Sequence, residues 1–245
     1  MTFYLNDLGM LSAAGNDGPQ ILTNVLAGDR SGLILTDKYS THPVYVGEIH
    51  ADLPTIDQKY SVYNCKNNQL LLAALSQIQS TVDRMVKQFG ASRVGVVLGT
   101  STSGVRNTEL AIHSVAKHHI KPEEFHYKQQ QLAAGADFLA NYLKLKGPAY
   151  VVSTACSSSG KAFASARRLI SLDLCDAVIV GGADSLCRYT VTGFDALESV
   201  SAGLCKPFGQ HRDGINLSEA AALFVMSKEQ GPVELQGIGA TSDAY

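Results

Sequence analysis

The sequence lacks several features that would place it in a special class of protein. It has an odd set of five cysteines with no C-x-x-C pair, which indicates neither a disulfide framework nor a zinc site. Its formal net charge is only −2, so no basic surface for nucleic acid is indicated. It has no basic leader before residues 3–5 and no hydrophobic run of membrane-spanning length. We therefore expect a cytoplasmic protein that uses no metal or cofactor and contacts neither nucleic acid nor membrane.

The composition is that of an ordinary globular protein, and helices and strands alternate along it. Apolar residues at positions 71, 75, 78, 82, 85 and 89 step by four and three, which predicts an amphipathic helix from residue 67 or 68 to residue 88. The patterns also predict helices over residues 17–28, 129–146 and 191–199, and one after residue 157. Strands are predicted over residues 3–5, 44–49, 93–98, 150–153, 177–180, 221–226 and 233–238.

This alternation predicts an α/β layered sandwich. The continuous apolar run over residues 93–98 is typical of a parallel strand that is buried on both faces. The sequence has no linker, low-complexity segment or exact repeat, so we treat residues 1–245 as one domain.

A single cysteine occupies the junction between a predicted strand and a predicted helix. Residues 150–153 are predicted to form a short buried strand, and residues 157–159 are three serines that can cap the helix. Cys156 lies between them. The unpaired N–H groups in the first turn of a helix favour a negative charge such as a thiolate. Cys156 is therefore a candidate nucleophile, although most cysteines in proteins are small buried apolar residues.

A polar loop bounded by glycines follows the predicted strand at residues 93–98. In α/β sheets, ligands bind at the carboxyl ends of the strands, where the loop over residues 99–104 would lie. No Lys-Ser or Lys-Thr pair follows Gly104, so the loop does not match a P-loop, and a tight turn with bonded hydroxyl groups is the favoured interpretation.

Six motifs, in order along the chain, resemble those of one family. They are residues 99–104, 154–159, 181–186, 193–197, 205–208 with 212–214, and 237–245. Together they resemble the elongating β-ketoacyl-acyl carrier protein synthases of the thiolase superfamily. The resemblance implies a thiolase-like layered sandwich in which this chain is the first of two similar halves.

The resemblance also implies a reaction and its participants. In this family an acyl group is carried on a cysteine and condenses with a malonyl unit on an acyl carrier protein, which loses carbon dioxide. The cysteine is matched here by Cys156, and the resemblance places Thr102 and Phe194 near the acyl chain, although Phe194 could equally be a core residue. It further implies a homodimer or heterodimer of ketosynthase type.

The chain also departs from the family pattern. The two histidines that promote decarboxylation in the family lie downstream of the motifs matched here, and none of the seven histidines of this chain stands in such a motif. The sequence therefore predicts a truncated N-terminal half. Two hypotheses remain open: the chain is the nucleophile-bearing half of a condensing enzyme, or it is a non-catalytic fragment that associates with a synthase-like partner. The acyl chain, and the choice between fatty-acid and polyketide or polyene synthesis, stay open.

Overall fold

The computed structural model describes residues 2–242, which form nine strands and six α-helices within that range. The strands are β1 (Tyr4–Ser12), β2 (Leu33–Thr36), β3 (Val44–Gly47), β4 (Val94–Gly99), β5 (Ala149–Val152), β6 (Ala177–Asp184), β7 (Leu217–Ser218), β8 (Ala220–Ser227) and β9 (Val233–Glu234). The helices are α1 (Gly18–Ala27), α2 (Lys66–Phe89), α3 (Val105–His118), α4 (Ala134–Tyr142), α5 (Ser158–Ser171) and α6 (Arg188–Ala196).

Six of the strands form one mixed sheet in the order β5-β4-β6-β8-β1-β9. Strands β5, β4 and β6 are parallel, so their carboxyl ends lie at one edge. Strand β8 is antiparallel to both β6 and β1, and β9 is antiparallel to β1. The parallel half of the sheet therefore carries the loops at which ligands usually bind, and the antiparallel half extends it.

Helices cover both faces of this sheet. On one face α2 and α4 pack through a large apolar cluster that takes Val94, Val96 and Leu98 from β4. On the other face α5 packs through a second cluster that takes Val97 from the same strand. The alternation along β4 follows from the pleat of a strand, which points successive side chains to opposite faces. The result is a layered α/β sandwich, as the sequence predicts.

A smaller sheet, with strand order β2-β3-β7, lies beside α6. The buried residues of this unit form a third apolar cluster, which includes Val46, Leu186, Val191 and Leu217. Phe194 on α6 packs against this cluster. The small sheet thus provides the support on which α6 rests.

Two predicted helices are confirmed. Helix α2 runs over Lys66–Phe89; five of the six apolar positions that predicted it are buried, and Phe89 is half-buried. Helix α1 begins after Asp17, whose side chain accepts a hydrogen bond from Gln20 N, and ends at Gly28 in the left-handed conformation. These are the capping interactions that the sequence patterns favour.

The helix predicted over residues 129–146 is wrong at both ends. The observed α4 spans only Ala134–Tyr142. Residues Tyr127–Gln130 form a separate 3₁₀ turn that His126 and Gln129 close reciprocally. The Gln129 side chain also donates to the carbonyl of Asn64, which fixes this turn away from the helix axis. The predicted apolar face therefore loses Leu132, which is exposed.

The strand that precedes Cys156 is not buried as predicted. Strand β5 lies at the edge of the sheet, and its four residues are only half-buried. An apolar run in a sequence cannot distinguish an edge strand from a central one, because both can be β-branched and aromatic. Within residues 2–242, no helix is both long enough and apolar enough to cross a bilayer.

We predict that Leu75→Ala lowers the free energy of unfolding by about 3 kcal/mol, because Leu75 is fully buried on α2 and its removal leaves a cavity. Leu22→Ala is the matched control, since Leu22 is 60% exposed on α1, and it should change stability by about 0.5 kcal/mol or less. Urea unfolding followed by circular dichroism measures both. Equal losses in the two variants would contradict the assigned core.

Candidate active site

Cys156 lies on a short connection between β5 and α5. Its side chain is exposed, and it follows Ala155, which has a φ of 51°. Residues other than glycine rarely adopt this left-handed conformation, because the Cβ atom then crowds the following carbonyl group. The chain therefore turns sharply just before the cysteine, and α5 starts two residues after it. The junction predicted from the sequence is present.

The first turn of α5 packs directly on the ends of the parallel strands. A Cβ atom placed on Gly99, the last residue of β4, would lie 2.5 Å from the backbone nitrogen of Ser159. No side chain can be accommodated at such a distance, so glycine is required here for steric reasons. The missing side chain allows the helix that follows Cys156 to approach the carboxyl edge of the sheet.

The loop after β4 is held by the carboxylate of Asp184 at the end of β6. This carboxylate accepts hydrogen bonds from the hydroxyl groups of Thr100 and Thr102 and from the backbone N–H groups of Ser101 and Thr102. The Ser101 hydroxyl group in turn donates to the carbonyl of Ala155 at 3.4 Å. The loop is thus a tight, hydrogen-bonded turn, which is the interpretation that the sequence favoured over a P-loop. It lies against the connection between β5 and α5 that carries Cys156.

The structure brings the three predicted site residues together around one cavity of about 670 Å³. Cys156 contributes from the connection, Thr102 from the loop after β4, and Phe194 from α6. Thr102 is buried and its hydroxyl group is bonded to Asp184, whereas Phe194 is half-buried and also packs on the third apolar cluster. Phe194 therefore both lines the cavity and packs as a core residue, so each of the two interpretations of it describes part of its environment. The roles of the three residues in acyl binding stay predictions.

Two further carboxylates fix the walls of this cavity. Glu109 on α3 accepts hydrogen bonds from the backbone N–H groups of Arg188 and Tyr189 at the start of α6. Glu219 is fully buried, forms an ion pair with Lys66, and accepts from the backbone N–H group of Leu186. Neither residue was predicted, because α3 was not predicted and the partners of Glu219 are distant in the sequence.

The capping prediction for the three serines is only partly correct. Ser157 occupies the N-cap position of α5, but its hydroxyl group donates to the carbonyl of Thr154 and does not accept from the helix. Ser158 is the buried member of the set, and its hydroxyl group bonds to the backbone on both sides of the turn at Ala155. The serines therefore fasten the connection that carries Cys156.

The other cysteines differ from Cys156 in exposure. Burial raises the pKa of the Cys65 thiol to about 11, and burial likewise raises the pKa of the Cys175 thiol to about 11. The pKa of the Cys187 thiol is also raised by burial. Cys205 is partly exposed. Since the thiolate is the reactive form, burial makes three of the five thiols poor nucleophiles.

A thiol at a strand-to-helix junction, on a layered sandwich and at the mouth of a cavity, defines the thiolase-like class of ketosynthase folds. The chain belongs to the family described as Beta-ketoacyl synthase, N-terminal domain, whose model matches residues 66–231. The last matching motif of the sequence, residues 237–245, lies only partly within the part of the chain that the structure describes, because residues 243–245 lie outside it.

Individual relatives agree with this assignment. The chain is 25% identical to Nodulation protein E of Rhizobium leguminosarum bv. trifolii over 98% of its length and 63% of the relative. It is also 25% identical to the 3-oxoacyl-[acyl-carrier-protein] synthase 2 of Staphylococcus aureus, over 98% of this chain and 64% of that one.

Solved structures show the same fold. The ketosynthase (ApeO) in complex with its chain length factor (ApeC) from Xenorhabdus doucetiae is matched with a TM-score of 0.91 and 40% identity, over 96% of this chain and 60% of that one. A β-ketoacyl synthase from Burkholderia phymatum is matched with a TM-score of 0.76 and 20% identity, over 93% and 59%. The chain thus corresponds to the N-terminal half of these proteins, and it spans about three-fifths of their length.

We predict that iodoacetate alkylates Cys156 ahead of the other four cysteines at neutral pH. Its thiol is exposed and lies near a helix start, whereas burial keeps Cys65, Cys175 and Cys187 protonated and inaccessible. Peptide mass spectrometry after a short exposure measures the order of labelling. Cys205, which is partly exposed but lies on an irregular segment, is the internal reference. Labelling of Cys156 no faster than that of Cys205 would contradict the prediction that Cys156 is the most reactive cysteine.

Proposed function

We propose that this chain is the acyl-accepting part of a β-ketoacyl-acyl carrier protein synthase. Cys156 takes the acyl group from an acyl carrier protein and holds it for condensation with malonyl-acyl carrier protein. The observation that carries the proposal is the exposed thiol two residues before α5, which lines the cavity of about 670 Å³. Family membership and the relatives described above support the same class of chemistry.

The transfer step follows from the chemistry of thioesters. The Cys156 thiolate attacks the carbonyl carbon of the acyl thioester, and a carbon–sulfur bond forms as the carbonyl oxygen becomes negative. The intermediate then collapses, and the thiolate of the carrier's prosthetic arm leaves and takes up a proton. The backbone N–H group of Cys156 serves as one donor to the negative oxygen, because it belongs to the turn that begins the helix. An acyl thioester on Cys156 is the product.

The acyl chain occupies the cavity between the loop after β4 and helix α6. Apolar side chains of Leu186, Phe194, Leu197 and Leu217 line this space, and Thr102 faces it from the opposite loop. Burial of methylene groups against such side chains stabilises the bound acyl group by about 0.8 kcal/mol for each group. The walls are therefore suited to a hydrocarbon chain.

The decarboxylation of the malonyl unit is assigned to residues outside this chain. The family resemblance places its histidines in downstream motifs, and the seven histidines of this chain do not match them. We accordingly treat residues 1–245 as one ketosynthase domain of thiolase type that accepts the electrophile, and the remaining part of the active site as a contribution from a second half.

The partners in this proposal are an acyl carrier protein and a second subunit of ketosynthase type, in a homodimer or a heterodimer. The Xenorhabdus doucetiae relative is a ketosynthase in complex with its chain length factor. Strand β5 lies at the edge of the sheet and is half-buried, so its outer backbone groups are available for pairing with another strand. Both observations support pairing of two ketosynthase-type chains.

A second candidate function is association without catalysis. Several large apolar side chains on the described surface are exposed, and α1 has no buried residue at all. Leu22, Val25 and Leu26 on that helix are all more than half exposed. Large exposed apolar areas mark interaction surfaces. In this alternative the chain binds a synthase-like partner, and Cys156 remains unacylated.

Incubation of the purified chain with octanoyl-acyl carrier protein tests the proposal. We expect an octanoyl thioester on Cys156 that intact-protein and peptide mass spectrometry detect and that neutral hydroxylamine removes. The thiol attacks the thioester, so Cys156→Ala should abolish the adduct. Cys205→Ala is the matched control, because it removes a partly exposed cysteine outside the cavity, and it should leave the adduct unchanged.

The same experiment separates the two candidates. Absence of the adduct from a chain whose Cys156 still reacts with iodoacetate would overturn the acyl-accepting role and favour association. Analytical ultracentrifugation with a ketosynthase-type partner then measures whether a stable complex forms.

A further inference from the structure

The backbone conformation next to Cys156 is unfavourable for a residue that has a Cβ atom. Ala155 has a φ of 51°, in the region that favours glycine, although it is an L residue with a Cβ atom. Such a conformation persists only when surrounding interactions fix it, and it occurs most often at functional sites. The question is which interactions fix it here.

Ser158 makes hydrogen bonds on both sides of the turn. Its Oγ atom accepts from the backbone N–H group of Thr154 at 2.9 Å and donates to the carbonyl oxygen of Ala155 at 2.6 Å. The backbone N–H group of Ser158 donates to the same carbonyl at 3.0 Å. Ser158 is only 4% exposed, so water cannot easily replace these bonds.

The neighbouring serines do not duplicate this arrangement. Ser157 is exposed, and its hydroxyl group donates to the carbonyl of Thr154, on one side of the turn only. Ser159 is also exposed and faces the cavity. Ser158 is thus the buried hydroxyl that links the residue before the left-handed alanine to the alanine itself.

We propose that Ser158 is a positioning residue for Cys156, which it serves by holding Ala155 in the left-handed conformation. With the turn held, the Cys156 side chain lines the cavity. Without the hydroxyl group, Ala155 relaxes towards negative φ and Cys156 moves away from that position. This inference rests on the proposed function, because it assumes that Cys156 is the nucleophile.

The test measures the rate at which iodoacetamide alkylates Cys156. In this reaction the thiolate sulfur bonds to the methylene carbon of the reagent and iodide leaves. We expect Ser158→Ala to lower the rate by about tenfold, because Cys156 leaves the position in which the left-handed turn at Ala155 holds it. Ser157→Ala, which removes an exposed hydroxyl group from the same turn, should stay within about twofold of the parent. Ser158→Thr retains the hydroxyl group and should retain most of the rate.

A second substitution tests whether backbone strain is the link. Glycine adopts a φ of about 50° without a steric penalty, so it does not need the hydroxyl group to hold the turn. In an Ala155→Gly background, Ser158→Ala should therefore slow alkylation by no more than about twofold. Should Ser158→Ala alone fail to fold, recovery of folding in the double variant would support the proposal, and failure of the double variant would overturn it.

The buried cysteines distinguish positioning from a general loss of stability. Global loosening would raise the alkylation of Cys65, Cys175 and Cys187, whereas the proposed role lowers the alkylation of Cys156 alone. A Ser158→Ala protein that labels at the parent rate, or a double variant as slow as the single one, would overturn the proposal. If octanoyl transfer fails but the alkylation pattern holds, the proposed function fails and the positioning role stands.

Discussion

The close approach of α5 to the ends of β4 and β6 is the constraint on which the site depends. A Cβ atom on Gly99 would lie 2.5 Å from Ser159 N, and one on Gly182 would lie 2.9 Å from Ser159 Oγ. Glycine at both strand ends lets the helix start directly above the sheet edge. The connection between β5 and α5 is consequently short, and a short connection must turn sharply. The left-handed conformation of Ala155 and the position of Cys156 both follow from this geometry.

Carboxylates organise the rest of the cavity in a similar way. Asp184, Glu109 and Glu219 each accept at least two backbone N–H groups, from the loop after β4, from the start of α6, and from the residues Ile49 and Leu186 respectively. Ionised acceptors form stronger hydrogen bonds than neutral ones, and these bonds fix the loop after β4, the start of α6 and the segments at Ile49 and Leu186. The cavity walls are therefore held by charge-assisted bonds as well as by apolar packing.

The sequence predicted the helices and strands that are marked by a local pattern of apolar residues. Helix α2 was predicted because its buried side chains recur on one face, whereas α3 was not, because only Ala111 on it is buried and its apolar residues Leu110, Ile112 and Val115 are exposed. The family resemblance implies glycines on both sides of Glu219, where this chain has Ser218 and Ala220. Both of these residues lie in strands, and neither has a positive φ.

The residues of the candidate site likewise fall into those that the sequence can predict and those that it cannot. Cys156 could be predicted because a strand, a run of serines and a helix adjoin it in the sequence. The contacts of Glu219 could not, because Ile49 is 170 positions away. The role of Ser158 was equally hidden, since nothing in the residue types reveals that Ala155 is left-handed. Sequence patterns thus identified the thiol, and only the structure identified the groups that hold it.

The pairing of β1 with β8 also determines when the sheet can form while the chain is being synthesised. Residues Tyr4 and Ser227 are partners in this ladder, so the first strand of the chain waits for almost the last one before its edge is covered. Contacts between such distant residues slow folding. During synthesis, the parallel strands and α2 emerge from the ribosome with the central place of the sheet still empty. The apolar surface that β8 covers therefore stays exposed until residues 220–227 have been synthesised, and such surface favours aggregation of a nascent chain.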